Sequence, residues 1–159
     1  MRYLEEEEII EAWKYMREAV KEARKSTCKS SQRGVVIVKD GKIVGRGYNK
    51  VTIGEKCNPC LRENIEGMKM VELCHAIHAE QMAILNTDRK DREDSTMYHV
   101  RVKNGKITTS NEPVCTVCSR MIKESGIKEF VLYTEKGFVS YSAEEFNEKS
   151  FENILKTID

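Results

Sequence analysis

Residues 34–48 read Gly34-Val35-Val36-Ile37-Val38-Lys39-Asp40-Gly41-Lys42-Ile43-Val44-Gly45-Arg46-Gly47-Tyr48. Two β-rich runs flank Asp-Gly, the strongest short-range signal of a tight hairpin turn. The first run is almost wholly apolar, as a strand covered on both faces must be, whereas a half-exposed strand would alternate. Upstream, Ile9, Ile10, Trp13, Met16, Ala19, Val20 and Ala23 recur at three- and four-residue steps, which predicts an amphipathic helix over about 6–24. The glutamates at positions 5–8 suit the positive end of its dipole and read as a solvated helix start.

Downstream, residues 50–73 hold no steady period and contain Gly54, Pro59 and Gly67. An irregular insertion of that length needs a functional or metal-based reason to be ordered. A helix is expected from Ala76 to Leu85, with Ile77, Met82, Ala83 and Leu85 available to a core. Further on come a strand over Thr96–Val102, a turn at Asn104-Gly105, a short helix over Val117–Glu124 stopped by Gly126, a strand over Phe130–Tyr133 and a helix over Ala143–Leu155. The order α-β-β-α-β-α-β-α suits an α/β fold with helices on both faces of the sheet.

The chain has 159 residues, 40% hydrophobic and 33% charged, and is read as a single domain over 1–159. A net charge of +1 does not favour a general nucleic-acid binder, and no apolar run approaches a membrane span. Met1-Arg2-Tyr3-Leu4 followed by glutamates lacks the apolar segment of a signal peptide, so a cytoplasmic protein is expected. In that compartment the six cysteines favour reduced thiolates holding metal over disulfides.

His78-Ala79-Glu80 stands in the predicted helix 76–85, and Cys115-Thr116-Val117-Cys118 opens a later one. One imidazole and two thiolates supply three ligands to a tetrahedral Zn²⁺ and leave the fourth position to water, the arrangement of catalytic sites. Glu80, two residues past His78, is placed to carry that water's proton. H-x-E followed by C-x-x-C is the zinc nucleobase deaminase signature. A lone C-x-x-C would read equally as a redox pair or a structural knuckle; the combination and its order discriminate.

With these motifs the sequence resembles the cytidine/deoxycytidylate deaminase superfamily, closest to the deoxycytidylate branch. Ser26-Thr27-Cys28, the 34–41 and 43–49 runs, Ile77–Leu85 and Ile122–Tyr133 carry the likeness, over about residues 10–135. The resemblance implies a three-layer α/β/α cytidine deaminase-like fold with a central mixed sheet. It also implies hydrolytic deamination, in which hydroxide on a zinc held by His78, Cys115 and Cys118 attacks C4 of a cytosine while Glu80 shuttles the proton. Asn49 and the amide of Ala79 match positions that bind substrate. The expected substrate is a free cytosine nucleotide, deoxycytidylate first, and the expected assembly a homo-oligomer.

Cys28, Cys57, Cys60 and Cys74, with His75 adjacent, form a second group. A Cys₄ or Cys₃His structural zinc would staple the 50–73 insertion, using one of Cys74 and His75. Alternatively Cys28 and Cys74 are small buried hydrophobes and Cys57/Cys60 are incidental. His99 reads as an exposed or hydrogen-bonded strand residue. Three departures from the family pattern concern the substrate: a residue between Pro113 and Cys115, an added segment over 103–112 that suggests a hairpin near the pocket, and a 50–54 stretch whose Lys50 faces either a phosphate or solvent. They leave open a deaminase of another base or of a base within nucleic acid. Retention of Glu80 speaks against a non-enzymatic zinc-stabilised interaction module.

Overall fold

The computed structural model describes residues 1–28, 30–55, 57–63, 65 and 73–157. Strands are β1 (Arg2–Tyr3), β2 (Gln32–Lys39), β3 (Lys42–Tyr48), β4 (Lys50–Val51), β5 (Ala76–Ile77), β6 (Thr96–Lys103), β7 (Lys106–Thr108), β8 (Glu129–Thr134) and β9 (Gly137–Ser142). Helices are α1 (Glu6–Ala23), α2 (Ala79–Leu85), α3 (Arg89–Arg92), α4 (Thr116–Glu124) and α5 (Ala143–Leu155). Of the 50–73 insertion, residues 56, 64 and 66–72 lie outside the described residues.

Among the described residues the main sheet runs β1-β9-β8-β6-β2-β3, with β7 added beside β6. β6 and β8 are parallel and the other pairs antiparallel, so the sheet is mixed. A parallel pair needs a crossover, and α4 lies on the connection from β6 to β8. The strands of β2 explain their own composition. Val36 and Val38 pack with Ala12, Met16 and Ala19 of α1, while Val35 and Ile37 pack with Ala79 and Ala83 of α2 and Ile122 of α4. Two apolar layers thus share one sheet, with α1 on one side and α2, α4 and α5 on the other.

Two helix starts have identifiable causes. The Glu5 and Glu8 side chains form a reciprocal capping box at the head of α1. Arg2 grips both oxygens of Glu8 at 2.8 and 2.7 Å, so this glutamate has a partner where a solvated face was expected. Ser142 and Glu145 make the matching box for α5.

The structure departs from expectation in several places. Ala76 and Ile77 are not the first turn of α2 but a short strand, with Lys50 opposite Ile77 and Val51 opposite Ala76. Leu85 closes α2 at 66% exposure instead of entering the core. β9 was not expected, because Ser140 and Ser142 break its apolar run, yet both faces of the strand are covered and Ser140 Oγ finds Glu129 Oε2 at 3.1 Å. The turn at Asn104-Gly105 does form a hairpin, β6–β7.

α2 approaches the sheet at van der Waals limit. A Cβ on Gly47 would stand 2.3 Å from the Ala79 carbonyl oxygen and 2.3 Å from the Ala83 nitrogen, both backbone atoms that cannot swing away. Gly47→Ala is therefore expected to push α2 off β3 and lower stability by about 1–3 kcal/mol, the usual cost of overpacking. Thermal unfolding reads this as a fall in Tm of several degrees; an unchanged Tm would mean that the helix seat is looser than this contact implies.

Candidate active site

The sequence places its metal-capable side chains at two helix starts on the same side of the sheet. His78 is the N-cap of α2, fixed by Gln81 Oε1 accepting its backbone N–H at 2.9 Å. Cys115 is the N-cap of α4, and its sulfur accepts the Cys118 N–H at 3.3 Å. Cys118, one turn along, returns to the same point. His78 Nδ1 lies 3.1 Å from Cys118 Sγ and 3.4 Å from Cys115 Sγ, and the two sulfurs are 2.9 Å apart. All three donor atoms fall within 4.8 Å of one another.

Their electrostatics are coupled. The Cys118 thiol, aided by His78, holds the Cys115 sulfur low, to about 5. The same sulfur contact, with burial, pushes Cys118 up. The hydrogen bond to Cys115 raises His78 against the opposing effect of burial. An anionic sulfur at a helix N-terminus, beside a second sulfur and an imidazole, is a donor set suited to Zn²⁺.

Glu80 lies in the first turn of α2 and is buried. Desolvation opposes its charge, yet His99, His78 and Arg33 together outweigh burial and hold the carboxyl below its ordinary range. Its Oε1 is 3.8 Å from His99 Nε2, while its Oε2 is buried without a hydrogen-bond partner. A buried carboxylate oxygen left unpaired is costly unless a ligand meets it. That orphan beside three convergent donors fits a zinc ion carrying water.

Of the two expectations for His99, exposed or hydrogen-bonded on its strand, the first fails, since the residue is 3% exposed and belongs to the site. Its Nε2 is 3.4 Å from Arg33 Nη1. Arg33 is itself held by Asn49, whose Oδ1 accepts the Arg33 N–H at 2.8 Å and whose Nδ2 donates to the Ser31 carbonyl at 3.0 Å. Asn49 thus anchors the start of β2 and also lines the cavity. Ala79 is fully buried under Gly47, and Lys50 is exposed.

The cavity measures about 350 Å³ and takes in His78, Glu80, Cys115, Asn49, Arg33, Arg62 and Arg101. A second hollow of about 270 Å³ shares Glu80, Arg33 and Arg101 with it and is walled by His99, Thr109 and Ser110. The 103–112 segment supplies that wall: β7 pairs with β6, and Ser110 N–H donates to the Tyr133 carbonyl at 2.8 Å. No motif marks Arg33 or Arg101, and none assigns His99 to the site. Their alternation could have found them, since His99 and Arg101 share the strand face of core residue Met97.

The second cysteine group is gathered less tightly. Burial raises Cys57, and Cys60, Cys28 and Cys74 add to it, so the four thiols lie within electrostatic reach. Among the described residues they do not reach the closeness of the His78 group. His75 faces Glu55 at 3.6 Å, whereas Cys74 receives Arg62 Nη1 at 3.8 Å. No helix among the described residues is long and apolar enough to cross a membrane.

Burial holds His99 down to about 4, against its ordinary value of 6.5, with Glu80 opposing and Arg33, His78 and Arg101 reinforcing the shift. The unfolded chain gains this proton below pH ~6.5 and the folded chain only near 4, so stability falls as pH drops through that window. The group's share is about 3 kcal/mol. Urea unfolding of wild type and His99→Phe at pH 7 and pH 4.5 reads the difference, because losses from the other groups are common to both proteins. Equal losses in the two would remove His99 as the cause.

Comparison with known proteins agrees with this geometry. The profile of the cytidine and deoxycytidylate deaminase zinc-binding region matches residues 10–134. The deoxycytidylate deaminase of Mycobacterium phage D29 is 35% identical over 117 residues, covering 69% of this chain and 83% of the relative. That of Schizosaccharomyces pombe is 31% identical over 134 residues, covering 81% of this chain, which spans only 38% of the relative's length. The crystal structure of the dCMP deaminase from cyanophage S-TIM5 in complex with dCMP and dUMP superposes with a TM-score of 0.53 at 25% identity, over 80% of this chain and 82% of that one. Two helix starts that bring one histidine and a C-x-x-C pair around a buried glutamate, on a sheet that aligns with such enzymes, place this chain in the cytidine and deoxycytidylate deaminase family.

Proposed function

We propose that this protein deaminates deoxycytidylate hydrolytically, taking up water and releasing ammonia to leave deoxyuridylate. The observation that carries the reading is the buried Glu80, one carboxylate oxygen unpartnered, beside the convergent His78, Cys115 and Cys118. His78, Cys115 and Cys118 hold a zinc ion, which when bound supplies a water acidified to a pKa of ~7. Glu80 takes the water's proton, delivers it to N3 of the cytosine ring and assists departure of the C4 amino group. The carboxyl's low pKa suits the first of these tasks, since it must begin ionised. Asn49 and the Ala79 amide bind the nucleoside portion, Asn49 from the cavity wall and Ala79 from the head of α2.

A second, structural zinc takes Cys28, Cys57, Cys60 and Cys74 as ligands. The contact pattern favours Cys74 over His75: Cys74 is in reach of Cys57, while His75 turns to Glu55. The chain works as one domain over 1–159, in the cytoplasm and as a homo-oligomer. Leu85 and Val117, exposed on α2 and α4, support an interface across the active-site helices.

Ammonia release from deoxycytidylate is the direct test. Glu80→Ala is expected to lower kcat by about 10²–10⁴-fold while keeping its zinc; a variant that loses zinc as well would make Glu80 structural, and a wild type inert toward deoxycytidylate would move the substrate to another base. Metal analysis of wild type is expected to return two zinc per chain, with light scattering of the same sample above monomer mass. Cys57→Ser should retain one zinc, lose several degrees of Tm and spare kcat. One zinc in wild type would eliminate the structural site.

A further inference from the structure

We propose that Arg62 and Arg101 form a clamp for the 5′-phosphate of the substrate, and so select nucleotides over nucleosides. The proposal deepens the deaminase reading of the cavity and rests on it. Three guanidinium groups, Arg33, Arg62 and Arg101, border a space of about 350 Å³ in which Glu80 is the carboxylate among the lining residues. Among the described residues none of the three arginines forms an ion pair within 4.0 Å.

The three differ in how far their hydrogen bonds are already used. Arg33 meets His99 through Nη1 and sits in the field of Glu80 and His78. It belongs with the reacting end of the pocket. Arg62 touches Cys74 through Nη1, but its Nε is buried without a partner. Arg101 Nε is likewise buried without a partner. Each of these guanidiniums therefore holds an N–H withdrawn from water and unspent, a costly state that an anion relieves.

The register sharpens the point. Arg101 on β6 lies directly opposite Arg33 on β2. Like charges in that relation are destabilising, and a sheet tolerates them where a counter-charge comes between. Glu80 and the Cys115 sulfur leave three arginines with a cationic excess, whereas a phosphate monoester brings nearly two negative charges and several acceptor oxygens. Arg62 arrives from the 57–63 part of the insertion and Arg101 from the sheet, so a phosphate between them is held from two sides. Contact with Cys74 also ties Arg62, and the described 57–63 stretch that carries it, to the cysteine group.

The test is steady-state kinetics with deoxycytidylate and deoxycytidine on wild type, Arg62→Gln and Arg101→Gln, together with inorganic phosphate as an inhibitor and as a stabiliser in thermal unfolding. Each variant is expected to lose ~10- to 100-fold in kcat/KM for deoxycytidylate, mainly through KM. For deoxycytidine the change should stay within about two-fold, and phosphate should inhibit and stabilise the variants more weakly. Arg101→Lys should fall between, keeping charge but not the fork. Equal losses on both substrates, or none on either, would overturn the clamp. A wild type inactive on both substrates yet stabilised by phosphate, with that stabilisation lost in the variants, would keep the anion site and remove the deoxycytidylate reading. Should Arg62→Gln fail to fold, Arg101→Gln alone decides.

Discussion

The site exists because α2 and α4 start at the same place, and they do so because α2 can lie almost on the sheet. Gly47 has no side chain to hold Ala79 and Ala83 away. Gly34 does the same for α1 on the opposite face, where a Cβ would come 2.0 Å from the Ala19 carbonyl oxygen. Both helices are thereby pressed against the sheet at backbone contact. The N-caps of α2 and α4 are then not only helix starts. They are the two fixed points from which one histidine and two cysteines converge, and Glu80 is carried between them by one further residue of helix.

A buried glutamate must be stabilised as an anion or it will hold its proton. Against the opposing effect of burial, the charge that the sheet contributes at neutral pH is that of Arg33, with His78 at the head of the helix; His99, itself held down to about 4, is uncharged there. The sheet thus sets the charge state, while the helix sets the position. Asn49 joins the two functions: its side-chain amide accepts from the Arg33 N–H at one end and donates to the Ser31 carbonyl at the other, and it stands in the wall of the cavity it helps to build. His99 has a parallel double role, as a packed ring near Phe130 and as the partner of Arg33.

Sequence reading reached the helices and central strands because their periods are strong, and it reached the metal group because its spacing is chemically restrictive. α5 was legible to the residue, bounded by the Ser142 capping box. What stayed hidden follows a pattern. β9 is apolar enough to be buried but interrupted by serines that hydrogen-bond to neighbours, so its composition reads as loop. The 76–77 strand is too short for any period and exists only through its pairing with residues 50–51. Arg33, His99 and Arg101 are invisible as a group, since their juxtaposition comes from the register of β2 on β6 and from nothing local. The four cysteines of the second group were legible as a set, but which of Cys74 and His75 joins them depends on side-chain direction, which no spacing conveys.

Net charge and local charge answer different questions. A chain at +1 has no field that would draw a long polyanion, and the balance of its surface follows from that. Within the same chain the cavity gathers three arginines around one carboxylate. Such a concentration is invisible in the sum and strong at short range, because low-dielectric walls weaken screening. A hollow of about 350 Å³ bordered by three arginines discriminates by size as well as by sign. It admits a small anion whose charge can reach the guanidiniums. The fit to a small nucleotide therefore follows from where the arginines are held, and for Arg33 and Arg101 it is the β2–β6 register that holds them there.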